Sequence, residues 1–317
     1  MPKSRVVEVR EDVELTNLDQ PILDGSEVTK RQLVDYLDLV ADRLLPGLAG
    51  RALSVIRVRP GQRPFMQKNL PDYAPDWIRH VDQWSEAGHR TVHYPLCEDR
   101  RTLLWLANQR AVEYHPALID DTGRQTDLII DLDPPEGAGF DAVVTVAGAV
   151  HAVLDDCGLQ AAVKTSGSKG VHIVVPVDRG HTIEDIAAAT RALAARTAAH
   201  DPDHATVAYV KDERQGKVFV DSTRAGGATV VAAYSPRARP GLPVSFPLSW
   251  SELPEIRPTD FTVTTVGRLM PQRLGWHQLL PAPQQLPADV IAEGHQIPIA
   301  RVAAMHEGRR RKRQAGS

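Results

Sequence analysis

The chain has 317 residues, 42% of them hydrophobic and 24% charged, with a formal net charge of −3. That balance gives an ordinary globular protein with a sizeable core, and it excludes a chain whose overall charge alone would draw a polyanion. Cys97 and Cys157 are the only cysteines, too few for a disulfide framework or a thiolate zinc site, and no apolar run reaches membrane-spanning length. The first residues lack the apolar core of a signal peptide, so a cytoplasmic, nucleoid-associated protein with no membrane partner is expected.

Along the chain, RVVEVREDVEL at 5–15 alternates like a strand. Thr29 opens an amphipathic helix, KRQLVDYLDLVADRLLPGL, that Pro46 and Gly47 stop. ALSVIRV at 52–58 is strand-like, and GQRPFMQKNLPDYAPDWI is loop-rich. Asp99 caps a predicted helix, RRTLLWLANQRAVEYH, that ends before Pro116. TDLIIDLD is a predicted strand, FDAVVTVAGAVHAVLDDCG a helix, and AAVKTSGSKGVHIVVPV two strands around a glycine loop. A helix, IEDIAAATRALAARTAAH, follows the cap Thr182, and KVFVDST and TVVAAYS are two further predicted strands. From about 236 the chain is proline-rich and expected to wrap the surface, and its basic end, GRRRKRQAGS, is expected to be disordered. The rhythm is mixed α/β.

The strand at 127–133 ends in two carboxylates. Asp131 and Asp133, at i and i+2, point to one face, with Leu132 turned into the core. Carboxylates so close repel unless one is protonated or a cation lies between them, and hard divalent ions suit oxygen donors. Asp221 ends another short apolar strand, KVFVD, and three such carboxylates suffice for two cations. The competing reading of a lone DxD is a solvated turn.

KTSGSKGVHIVVPV, residues 164–177, offers two glycines for inward-turned N–H groups, the Ser166 hydroxyl, the charges of Lys164 and Lys169, and His172. The set suits a triphosphate, though it is neither a Walker A loop nor a dinucleotide fingerprint. The competing reading is a hairpin turn with solvated lysines.

Taken in order, DLIIDLDPPEGAGF, VKTSGSKGVHIVVP and KVFVDSTRAGGATVVAAYSPRARPG resemble the polymerase domain of bacterial DNA ligase D, of the archaeo-eukaryotic primase superfamily. LTNLD, FMQKNLPDYAPDWI, TVHYPL and LLWLANQRAVEYH extend the likeness to about residues 14–255. With no ligase or nuclease segment beside it, a stand-alone member is expected. The resemblance implies two β-sheets flanked by helices with the active site in the cleft between them. It implies one domain over 1–300, a catalytic core at about 110–250, and the tail at 301–317.

It also implies DNA-templated nucleotidyl transfer, as primer extension or the filling of short gaps in repair, with a preference for ribonucleotides and two divalent cations, Mn²⁺ or Mg²⁺. Asp131, Asp133 and Asp221 match the catalytic metal ligands. Ser166, Lys169, His172 and Arg237 match residues that hold the triphosphate, His115 one near the sugar, and Arg57 a basic residue facing the site. Lys30 matches one of two lysines that grip a 5′-phosphate, Phe65 the first of two base-stacking phenylalanines, and Lys68 completes the expected DNA contacts. Implied partners are gapped or primer-template DNA, ribo- and deoxyribonucleoside triphosphates, a separate ATP-dependent ligase and end-binding repair proteins. Four departures touch substrate grip: Gln20 and Ile56 replace usual lysines, Met66 replaces the second phenylalanine, and RAGGAT is one residue short. A metal-dependent nuclease or nucleotide hydrolase, and a silent nucleic-acid-binding module, remain the alternatives.

Overall fold

The computed structural model describes residues 8–299, apart from 87 and 227. The basic tail therefore lies outside the described residues.

Two sheets carry the molecule. The larger has six strands in the order β11 (Ala205–Thr206), β12 (Val218–Asp221), β8 (Asp127–Asp133), β10 (Val171–Pro176), β9 (Ala162–Thr165) and β13 (Pro247–Leu248). The smaller has the order β4 (Phe65–Gln67), β3 (Arg51–Arg57) and β7 (Ala111–Asp120). Two hairpins stand apart, β1 (Glu8–Arg10) with β2 (Val13–Leu15), and β5 (His80–Ser85) with β6 (Arg90–Pro95). Leu128, Ile129 and Ile130 on β8 are all buried, as are all six residues of β10, which explains the unbroken apolar runs.

The main helices follow their sequence signals. α1 (Lys30–Leu44) starts at a capping box between Thr29 and Gln32 and buries Leu33, Val34, Leu37, Val40, Ala41 and Leu44, one stripe at helical spacing. α3 (Phe140–Asp156) and α4 (Ile183–His200) cover the large sheet, and the Thr182 hydroxyl caps α4. The small residues of α4 admit the helix Ala288–Gln296 closely: a Cβ on Gly294 would fall 1.8 Å from Ala188 O. No helix among the described residues is long and apolar enough to cross a membrane.

Four expectations need correction. Residues 8–15 form a hairpin, because Glu11 and Asp12 take positive φ (47° and 57°) and turn the chain back. α2 is only Arg100–Asn108. Arg110 at φ 63° ends it, and residues 111–120, rich in β-formers, pair with β3. TVVAAYS is an extended connector with one isolated bridge, Ala117 to Thr229. It bonds the small sheet through Ala232 N to Tyr114 O and Tyr114 N to Ser235 Oγ, and the large sheet through Lys164 Nζ to Val231 O. The chain beyond 236 enters the core: β13 edges the large sheet, and Phe246 and Phe261 stack with centroids 4.4 Å apart.

Arg51 braces the two sheets. It donates to Ala117 O and Leu118 O on β7, and to Thr126 Oγ1 and Asp127 Oδ2 at the start of β8. The sheets are thereby held with β7 facing the ends of β8, β10 and β12.

Candidate active site

Strand register lines up a row of functional groups. Asp221 on β12 is opposite Asp131 on β8, Asp131 is opposite His172 on β10, and His172 is opposite Lys164 on β9. Directly opposed residues share a face, so all four side chains emerge on one side of the sheet. Asp133, two residues beyond Asp131, lies on that face too. A 570 Å³ cleft opens over the Asp221, Asp131 and His172 part of the row, with His115 of the small sheet on the far side.

The glycine loop makes the cleft possible. Gly170 lies so close to β8 that a Cβ there would sit 1.9 Å from Leu132 O. Gly167, at φ 66°, would place a Cβ 2.7 Å from the Arg237 side chain and 2.8 Å from Ser245 N. The Ser166 hydroxyl accepts from Ser168 N and Gly170 N, both at 3.2 Å, and fixes the loop from within.

Arginines meet the carboxylates. Arg224 lies 3.1 Å from Asp131 and 3.5 Å from Asp221, bridging them. Arg214 lies 3.3 Å from Asp133 and stacks on Phe219 at 3.9 Å. Burial pushes the Asp131 carboxyl up to about 6, against Arg224, with the charges of Asp221 and Asp133 adding to the rise. A guanidinium drawn between two buried carboxylates marks a place built for positive charge, and the all-oxygen donor set fits a hard divalent cation. The three carboxylates are not within 4.8 Å of one another, a spacing reached among the described residues only by His80, Asp82 and His93.

A second network crosses the cleft. Glu113 Oε2 is 2.8 Å from His115 Nε2 and accepts from Arg237 Nε at 3.0 Å, while Oε1 accepts from Ala238 N at 2.8 Å. Burial opposes the Glu113 charge, but His115, Arg237 and the Ala238 N–H outweigh it and hold this carboxyl below its ordinary value. Arg237 also donates to Ser166 O at 2.6 Å, so Glu113 ties β7 to the glycine loop.

Asp131, Asp133, Asp221, His115, Ser166, Lys169, His172 and Arg237 thus line one cleft. Other expected residues do not reach it. Arg57 is buried and donates to Gln109 O, Gln67 Oε1 and Tyr73 OH, bracing the small sheet. Lys30 is 2% exposed, with Nζ 2.6 Å from both Thr16 O and Asn108 Oδ1, and burial pulls it down to about 8. Its ammonium faces inward rather than toward a phosphate. Phe65, with Arg59 over its ring at 5.0 Å, and Lys68 line a separate 350 Å³ groove with Met66. Lys164 is fully enclosed beneath His172 and does not line the cleft.

Sequence reasoning missed Glu113, Arg214 and Arg224. Glu113 and His115 stand at i and i+2 of a strand, a pairing hidden while that segment reads as helix. Arg224 carries its signal in its place three residues after Asp221.

The family model described as LigD, primase-polymerase domain matches residues 29–276. The bifunctional non-homologous end joining protein LigD of Bacillus subtilis is 33% identical over 296 residues, 91% of this chain and 47% of that protein. The multifunctional non-homologous end joining DNA repair protein LigD of Mycobacterium tuberculosis is 34% identical over 273 residues, 81% of this chain and 36% of that protein. The chain spans less than half the length of these curated relatives. Among solved structures, the polymerase domain from Mycobacterium tuberculosis ligase D in complex with DNA superposes with a TM-score of 0.77 at 31% identity, covering 86% of this chain and 98% of that one.

Proposed function

The chain belongs to the LigD primase-polymerase family, and from that premise we propose that it is a DNA-directed nucleotidyltransferase that extends primers or fills short gaps in DNA repair, favouring ribonucleotides. The observation that carries the reading is the row Asp221, Asp131, His172 beneath a cleft rimmed with Lys169, Arg237 and Arg239. Carboxylates at the floor and cations at the rim are what a triphosphate with its counter-cations requires. The likeness to a domain solved with DNA supports DNA as the other substrate. We take residues 1–300 as a single domain. A ligase and end-binding repair proteins as partners belong to the same proposal.

Asp131, Asp133 and Asp221 would hold two divalent cations, Mn²⁺ or Mg²⁺. Such ions, when bound, stabilise charge on the attacking and leaving oxygens of a phosphoryl transfer. The protein's own part is positional. Lys169 and Arg237 offer fixed positive charge to the phosphates. His172 stays neutral: burial holds it well below its ordinary value, and Lys164, Arg237, Arg224 and His115 add to that effect. A neutral imidazole can donate one hydrogen bond into the cleft without adding charge. His115, held by Glu113, faces the row from the opposite wall, where a sugar hydroxyl would lie. Arg224, now paired with Asp131 and Asp221, would yield its place to bound cations and could then serve the substrate's phosphates.

The test is extension of gapped, nicked and primer-free templates with ribo- and deoxyribonucleotides, in Mn²⁺ and then Mg²⁺. Lengthened primer with released pyrophosphate is expected. Shortened DNA, or binding without turnover, would reject the reading.

A further inference from the structure

A second cluster of cation-binding groups lies on the hairpin β5–β6, outside the cleft. His80 and Asp82 are two apart on β5, and His93 of β6 is directly opposite Asp82 in the register. All three side chains therefore stand on one face of the ribbon. His93 Nδ1 is 2.6 Å and His80 Nε2 is 3.5 Å from Asp82 Oδ1. The rings meet edge to face with centroids 5.3 Å apart, and the three donor atoms lie within 4.8 Å of one another.

A four-coordinate ion with bonds of about 2.0–2.2 Å needs its ligand atoms about 3.3 Å apart. The observed separations fall on both sides of that value, so small side-chain rotations suffice. The side chains are 45%, 55% and 47% exposed, which leaves room for water to complete the shell. Two imidazoles and one carboxylate suit zinc and its neighbours, whereas Mg²⁺ prefers oxygen alone. The hairpin's fold is already held by its backbone ladder, and the His–Asp pairs are too exposed to add much stability.

We propose that His80, Asp82 and His93 form a binding site for one divalent transition-metal ion of the zinc class, distinct in place and chemistry from the three aspartates. The ion clamps β5 to β6. β6 is in turn held to the segment after β4, because His93 N donates to Asn69 Oδ1 at 2.9 Å and Leu70 N donates to His93 O at 2.7 Å. The opposite face of the same hairpin, through Arg90 and Tyr94, walls the groove that holds Phe65 and Lys68. Metal binding thereby stiffens one side of that groove.

The experiment uses the full chain, stripped with chelator and titrated with Co²⁺ and then Zn²⁺, read by visible absorption and calorimetry. One equivalent with the intense bands of low-coordinate Co²⁺, displaced by Zn²⁺, is expected. It should persist in Asp131→Asn/Asp133→Asn and vanish in His80→Ala/His93→Ala and in Asp82→Asn, with circular dichroism confirming the fold. Zn²⁺ should also slow amide exchange across residues 80–95. Wild-type affinity weaker than about 1 mM, retention of the equivalent in the His80→Ala/His93→Ala variant, or unchanged exchange would overturn the site.

Discussion

Lys164 Nζ lies 2.8 Å from His172 Nδ1, and both residues are buried beneath Asp131. The amine also donates to Val231 O at 2.9 Å and to Ser245 Oγ at 2.7 Å, whose own proton goes to Thr165 O. A protonated Lys164 thus spends all three N–H groups, one of them on Nδ1. That leaves the His172 proton on Nε2, 3.5 Å from Asp131 Oδ1. While protonated, a lysine outside the cleft sets the tautomer of a histidine inside it.

The first prediction follows from that burial, which pulls Lys164 down to about 7 from its ordinary 10.5. Between those values the unfolded chain binds more protons at this site than the folded one. Stability from this group therefore rises with pH across the window, at up to about 1.4 kcal/mol per pH unit, and is lost as pH falls toward 7. Lys164→Met should remove that slope. Urea denaturation of both proteins from pH 7 to 10 measures it. Parallel curves would show that the amine is not held as described.

Asp131 has the opposite sign. Its folded value near 6 exceeds the unfolded value, so the metal-free protein should lose stability as pH rises from about 4 to about 6. Asp131→Asn should flatten that limb. Cations bind the ionised form, so Mn²⁺ affinity should fall about tenfold per pH unit below about 6 and level off above it. At about 100 times its Kd, Mn²⁺ should add about 2.7 kcal/mol to the wild type and nothing to the variant.

Arg224 competes with cations for Asp131 and Asp221. It is 40% exposed, so the pairing is worth no more than about 1 kcal/mol. Arg224→Gln should tighten Mn²⁺ binding about fivefold without nucleotide, by calorimetry, and yet raise KM for the nucleotide. Weaker Mn²⁺ binding would mean that the guanidinium organises the carboxylates rather than occupying their place.

Glu113→Gln should loosen Arg237 and His115 together. Nucleotide KM should rise about tenfold, as expected for losing a buried charge-assisted contact, and the ribo-to-deoxy ratio should drop. His115→Ala should lower the ratio alone. Single-nucleotide incorporation kinetics separate the two effects, and an unchanged ratio in both variants would remove His115 from sugar selection.

The site was legible where function and local folding write the same signal. DLIIDLD is a buried strand that ends in acids, and TSGSKG is a loop whose glycines are demanded by contact with Leu132 O and Ser245 N. Thr29 and Thr182 announced their helices because capping is a local interaction. The segment 100–115 misled because its apolar spacing continues past Asn108, whereas the turn at Arg110 and the pairing of residues 111–120 with β3 are tertiary choices. Lys164, Lys30 and Arg57 read as free cations, and only packing shows each already bonded inward. Glu113 and Arg224 each have one near partner, His115 and Asp221, and one far, Arg237 and Asp131, and the far contacts are made only by the folded chain.

Asp131, Asp133 and Asp221 are proposed to act as one cation-holding unit in nucleotidyl transfer. The most direct test is extension of a gapped template with ribonucleotides in Mn²⁺ by three proteins: wild type, Asp131→Ala/Asp133→Ala, and Asp221→Ala. Both variants are expected to remain folded and to lose at least about a thousandfold in rate of pyrophosphate release, a loss of about 4 kcal/mol in transition-state stabilisation. Extension at the wild-type rate by either variant would show that the three carboxylates do not form such a unit.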